Sequence, residues 1–198
     1  LTAPVRVAAL LLLALAVAGP ASAQRQTDRY DETFRKYTKR FFGPGYDWRL
    51  FKAQAMTESN LDPGAQSHVG ARGLMQLMPM AFKEVQTKNP EIVSIDDPEW
   101  NIAAGISYDR RLWQQLSEHP ELTDRRRFMF GGYNAGMTTV RRAQGFAEQK
   151  ALDPRVWRSI ETVASEVPRW RHEETLQYVQ RIEQNMTRMD RNGRVVGK

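Results

Sequence analysis

The sequence predicts an all-α fold in a single domain, and three observations lead there. Apolar residues recur three and four positions apart along most of the chain. Aspartate, asparagine, glycine and proline fall where those stretches would start and stop. No stretch combines period-two alternation with hairpin turn residues. The 198 residues are enough for one domain with a real core and not comfortably for two. Apolar residues make up 41% of the chain, and eight methionines with five tryptophans imply a well-filled interior.

The first 23 residues are read as separate from the fold. Arg6 precedes an apolar run from Val7 to Gly19, followed by Pro20-Ala21-Ser22-Ala23. A positive start, a short apolar stretch and an Ala-x-Ala site describe a secretory signal peptide cut after Ala23. The run is short for a bilayer span, so no stable membrane anchor is expected after cleavage. Residues 24–46 then form an N-terminal arm. Tyr30, Phe34, Tyr37 and Phe41 sit at helical spacing, which predicts a helix over about 28–42 packed on the main domain. Gly43-Pro44-Gly45 ends it.

The main domain is read over 47–190. Asp47 is the expected N-cap of a helix running to Glu58. After a glycine-rich loop, Pro79 opens a helix to about Lys88, stopped at Asn89-Pro90. Asp96-Asp97-Pro98 opens the next, from about Glu99 to Ser117. Gly105 inside it costs about 1 kcal/mol against alanine, a cost that close helix packing commonly offsets. Further helices are expected over about 124–133, 137–144 and from Asp153-Pro154 to Glu166. Pro168 separates these from a last helix over about 172–190. Residues 191–198 are read as a flexible tail.

Glu58 carries the chemical argument. Trp48, Phe51, Ala55 and Glu58 share one stripe of their helix. The first three face a core, so the carboxyl at the end of that face is expected to be partly desolvated. Desolvation raises a carboxyl pKa, and a carboxylic acid kept neutral near pH 7 can protonate a leaving group. The chain then turns through Asn60, Asp62 and Pro63 into a loop with Gly64, Gly70 and Gly73, whose backbone can approach a ligand closely. Gln76 interrupts the apolar run Leu74–Met78. Its amide must find partners if buried, either backbone or a sugar.

Other chemistries have little support. His68, His119 and His172 lack metal-ligand spacing, and no metal or other cofactor is expected. Ser59, Ser67 and Ser107 have no neighbouring His/Asp arrangement. The chain has no cysteine, so disulfide and thiol chemistry are out.

Four blocks together resemble a known family. They are Glu58-Ser59-Asn60-Leu61-Asp62-Pro63 through Gly73-Leu74-Met75-Gln76-Leu77-Met78-Pro79, then Trp100 to Tyr108 with Asn101-Ile102 and Gly105, then Gly132-Tyr133-Asn134-Ala135-Gly136, then Glu174-Thr175 to Tyr178-Val179 and Ile182. In this order they resemble the soluble lytic transglycosylase family, which is similar in fold to goose-type lysozymes. The resemblance covers roughly residues 47 to 185. The sequence departs from it at Gly131-Gly132, where alanines are usual, at Asp62, where asparagine is commoner, and at Met80-Ala81-Phe82.

The resemblance implies a lysozyme-like helical domain with a substrate groove. It implies a lytic transglycosylase acting on the β-1,4 bond between N-acetylmuramic acid and N-acetylglucosamine of peptidoglycan. Glu58 would act first as acid and then as base, leaving a 1,6-anhydromuramoyl end. Ser67 and Gln76 would hydrogen-bond the flanking sugars, and Met78 would shape the pocket. Tyr133, Asn134 and Tyr178 would contact sugar or position the acid. The implied partner is the peptidoglycan strand, met after export to the periplasm. The net charge of +6 would assist adsorption to an anionic wall. Arg125-Arg126-Arg127 and Arg141-Arg142 are read as solvated helix faces. Nucleic acid is not an expected partner. Three alternatives stay open: a lysozyme-type hydrolase of the same bond, a non-catalytic peptidoglycan-binding module, and a component of an envelope-spanning machine with a protein partner.

Overall fold

The computed structural model describes residues 27–117 and 122–196, which form helices joined by turns, with isolated bridges and no extended sheet among them. The proposed leader, residues 24–26 and His119 lie outside the described residues. Among the described residues eight α-helices follow one another: α1 Asp31–Phe42, α2 Arg49–Ser59, α3 Pro79–Lys88, α4 Pro98–Gln114, α5 Leu122–Ala135, α6 Met137–Gln149, α7 Trp157–Val163 and α8 His172–Thr187. A 3-10 turn, Ala164–Glu166, extends α7. Among the described residues no helix is long and apolar enough to cross a membrane.

The arm belongs to the domain. Tyr30, Phe34 and Tyr37 are buried, and α1 packs along α4. Helix α2 packs against α8, and α5 lies centrally, touching α4, α6 and α8. The start of α2 differs slightly from expectation. Asp47 does accept a backbone N–H, that of Arg49, but the helix begins at Arg49 with Trp48 before it. At α4 the expectation holds: Asp97 accepts the Trp100 N–H and Pro98 occupies the first turn.

Three segments behave differently from the sequence reading. Helix α6 runs on to Gln149, well past 144. Asp153-Pro154 forms a turn rather than a helix start, and α7 begins at Trp157, whose N–H is accepted by Asp124 of α5. The last helix stops at Thr187, and the segment read as a frayed tail folds back on itself. Asp190 donates its N–H to the Arg194 carbonyl, and Val196 donates to Arg188. Gly193 lies so close to Trp48 that a Cβ there would meet its ring at 2.2 Å. The tail is therefore part of the packing against the start of α2.

Close approach also explains the family departures at 131 and 132. A Cβ at Gly131 would meet the buried Trp157 ring at 2.6 Å, and one at Gly132 would meet the Met137 sulfur at 2.4 Å. At Gly105 a Cβ would sit 2.7 Å from the Met75 side chain. That contact seats the loop after α2 directly on α4.

Candidate active site

Glu58 occupies the last turn of α2. The chain leaves the helix through Asn60 and Leu61, both left-handed at φ 54 and 63°. The residue is half-buried, and its carboxyl is the enclosed part. Oε1 accepts a hydrogen bond of 2.6 Å from the hydroxyl of Tyr178, which reaches in from α8 and is 3% exposed. Burial pushes the Glu58 carboxyl up to about 7; the Tyr178 hydrogen bond and the charge of Arg181 act against that rise without cancelling it. Burial and the Glu58 charge both push the Tyr178 hydroxyl up, so it stays a donor.

Tyr133 closes the site from α5. Its hydroxyl donates to the Met75 carbonyl at 2.7 Å, and its ring meets Tyr108 edge-on at 5.4 Å. Burial, chiefly, and then the charge of Glu58 push the Tyr133 hydroxyl up. A cleft of about 260 Å³ opens beside it, lined among others by Gln76, Met78, Met80, Glu84, Tyr108 and Tyr133. Met78 stands just before α3 and is 43% exposed.

The loop between α2 and α3 is a built template rather than a slack connection. Ser67 accepts the Ala71 N–H on its hydroxyl and donates its own N–H to the Ala71 carbonyl. Gln76, at φ 44°, donates from Nε2 to the carbonyls of Ala65 and Gly73. Asn101 of α4 holds the loop from below. Its amide donates to the Arg72 and Ile95 carbonyls, and its oxygen accepts the Met75 N–H at 2.8 Å. Gly73, at φ +76°, must be glycine here, since a Cβ would lie 2.4 Å from the Asn101 amide.

The structure thus brings Glu58, Tyr133 and Tyr178 together and places Gln76 and Met78 on the adjoining cleft. Asn134 is exposed, and its side-chain oxygen accepts the Thr175 hydroxyl, tying the end of α5 to the first turn of α8. The serines show no nucleophile arrangement. Ser59 donates to the Leu74 carbonyl, and Ser107 accepts from Asn89.

Sequence reasoning missed two groups behind Glu58. Gln54, one turn earlier on α2, and Asp109 of α4 are both fully buried. None of their side-chain polar atoms is in hydrogen-bonding geometry with a protein group. Burial, chiefly, and the charge of Glu58 push the Asp109 carboxyl well up. The missed signal is the one that exposed Glu58. Asp109 lies in helical register with Ile102, Ile106 and Trp113, and Gln54 lies between Phe51 and Glu58. Each is a polar residue on an apolar stripe.

The family model described as the transglycosylase SLT domain matches residues 33–155. The chain is 35% identical over 119 residues to a membrane-bound lytic murein transglycosylase F of Desulfosudis oleivorans, a match covering 60% of this chain and 25% of that protein. It is 33% identical over 135 residues to the like-named protein of Shewanella pealeana, covering 68% and 26%. The chain thus spans about a quarter of the length of these relatives. Among solved structures it is similar to the 70 kDa soluble lytic transglycosylase of Escherichia coli, with TM-score 0.58 and 28% identity over 77% of this chain and 22% of that one. It is also similar to an inactive mutant of the lytic transglycosylase Slt of Pseudomonas aeruginosa, with TM-score 0.59 and 27% identity, covering 80% and 23%. A helical domain with these four blocks in order and a family match over more than half its length has one assignment: the chain belongs to the transglycosylase SLT domain family.

Proposed function

We propose that the chain is a murein lytic transglycosylase, exported to the periplasm, that cleaves the β-1,4 bond between N-acetylmuramic acid and N-acetylglucosamine. The names of its relatives support the class of reaction. The observation that carries the mechanism is the enclosed Glu58 carboxyl, its pKa pushed up to about 7 by burial and its Oε1 bonded to a tyrosine hydroxyl.

Protonated Glu58 gives its proton to the glycosidic oxygen as the bond to C1 breaks and the electron pair stays on that oxygen. The muramic C6 hydroxyl then attacks C1, and its proton passes to the Glu58 carboxylate. The enzyme returns to its starting state, no water is consumed, and the product ends in a 1,6-anhydro ring. An internal nucleophile needs only correct positioning, which the rigid loop and the tyrosines can supply. Ser67, Gln76 and Asn134 would meet the sugars, Met78 would form the apolar wall, and Tyr133 and Tyr178 would hold the acid in place. A hydrolase would need a second carboxyl to activate water. Asp109, the carboxyl that feels the charge of Glu58, is sealed in the interior.

Mass analysis of the soluble fragments released from isolated cell walls tests this reading, with a Glu58→Gln control. Anhydro-ended fragments from the unmodified protein alone are expected. Reducing-end sugars would mean a hydrolase and would overturn the internal-nucleophile route. Equal release by the variant would remove Glu58 from the mechanism.

A further inference from the structure

Helix α4 turns one stripe toward the site. Asn101, Gly105 and Asp109 follow at four-residue intervals and so share a face. Asn101 bonds the loop at Arg72 and Met75, and Gly105 lets the Met75 side chain lie against the helix. Asp109 comes next on that face and is fully buried, as is Gln54, one turn before Glu58 on α2. Both carboxyl oxygens of Asp109 and both amide atoms of Gln54 lie outside hydrogen-bonding geometry with any described group. The Gln54 amide still acts on the Asp109 carboxyl, so the two stand near each other without a direct bond.

Enclosed polar atoms without partners cost free energy, and a polar enclosure of this kind is where an internal water settles. Donors and acceptors balance around one. Burial pushes the Asp109 carboxyl well up and so favours its protonated form. In that form the carboxyl offers an O–H, and the amide offers its N–H groups. A water that accepts from both has two protons left to give. One goes back to an oxygen of the pair, and the other is available to Glu58, whose charge bears on Asp109. The hydroxyls of Tyr133 on α5, Tyr178 on α8 and Tyr46 before α2 also feel Asp109, and burial pushes all three up, so they stay neutral. Beyond them Arg181 acts on Glu58, and Arg125 and Arg126 act on Tyr46.

We infer that Asp109 and Gln54 are positioning residues for Glu58: they hold one internal water behind it, and this water gives a hydrogen bond to the Glu58 carboxylate once its proton has gone to the leaving group. The inference rests on the reading of Glu58 as acid and then base. It supplies the carboxylate with a second donor beside Tyr178. A protonated Asp109 is no base, so the water is a support and not a nucleophile. The competing account is that the two polar residues only fill space.

Two variants separate these accounts. Asp109→Asn keeps a donor and an acceptor, and Gln54→Leu/Asp109→Leu removes both polar partners together, the change that a fold tolerates best. Each is read by anhydro-end formation from soluble glycan oligomers across pH, and by direct titration of the Glu58 carboxyl with carbon-13 NMR. In the double variant kcat is expected to fall about tenfold at unchanged KM. Its Glu58 titration and the upper limb of its pH–rate profile should both move up by about one unit. Asp109→Asn should lose about threefold in kcat, with the limb moving less. Should the double variant not fold, Asp109→Asn decides alone. Unchanged kcat and titration overturn the inference, as does a loss carried by KM. A limb that moves to lower pH in Asp109→Asn means a charged Asp109 and overturns it too. A Glu58 titration that moves without anhydro products in any protein would leave the pair standing and remove the transglycosylase reading. Anhydro products with an unmoved titration would do the reverse.

Discussion

Helix α2 carries two ionisable side chains into the interior and treats them in opposite ways. Lys52 is fully buried, and its ammonium meets Asp31 at 2.6 Å, Asp28 at 3.4 Å and the Gly193 carbonyl at 2.8 Å. Three donors face three acceptors, two of them charged. Six residues later, Glu58 has one neutral donor, Tyr178, while Arg181 acts on it only through space. Closing a buried charge on all sides makes it part of the scaffold. Leaving one open makes it able to change its protonation within the working pH range. The difference separates the end of α2 that is clamped from the end proposed to react.

The contrast can be broken from either side. Glu58→Gln should lower turnover by more than about 1,000-fold while leaving the helical content unchanged, as steady-state assays and circular dichroism would show. Lys52→Met should do the opposite. Asp31 and Asp28 would lose their buried cation at a cost of about 3–5 kcal/mol, read by urea unfolding, with activity per folded molecule retained.

The open group should also carry a stability cost. Because burial raises the Glu58 pKa to about 7 from the ordinary glutamate range, the folded state binds the extra proton between roughly pH 4.5 and 7. Its contribution is complete below that window and is lost as pH rises through it. Glu58→Gln should therefore match the unmodified protein at pH 4.5 and exceed it at pH 8, by up to about 3 kcal/mol. Thermal unfolding at the two pH values would show this, and a constant difference would contradict it. Tyr178→Phe is the smallest change. It removes the hydrogen bond that lowers the Glu58 pKa, so the upper limb of the pH–rate profile should move to higher pH. The rate at its optimum should fall about tenfold.

The two ends of α2 were unequally legible in the sequence. Glu58 declared itself as a carboxylate on an apolar stripe. Lys52 did not, because lysine stems often lie along apolar surface with the charge in water, and its partners sit at positions 28, 31 and 193. The tail was misread for the same reason: Asn192-Gly193-Arg194 looks loose until Trp48 and Lys52 are placed beside it. The start of α7 depended on Asp124 of another helix. Tyr178 lies 120 residues from the carboxyl it serves, and only the family resemblance singled it out. Asp109 and Gln54 lay outside the four blocks and off the expected list, although their positions on apolar stripes were as readable as that of Glu58.

Asn101 has a kinetic consequence. One side chain bonds three backbone groups, at Arg72, Met75 and Ile95, and two of them lie in the loop bearing Ser67 and Gln76, which cannot swing without breaking both. In many enzymes such a loop is a lid, and its opening limits turnover. Here the wall of the cleft is held on α4, so on the proposed reading a bound strand would enter and leave with no loop opening to wait for.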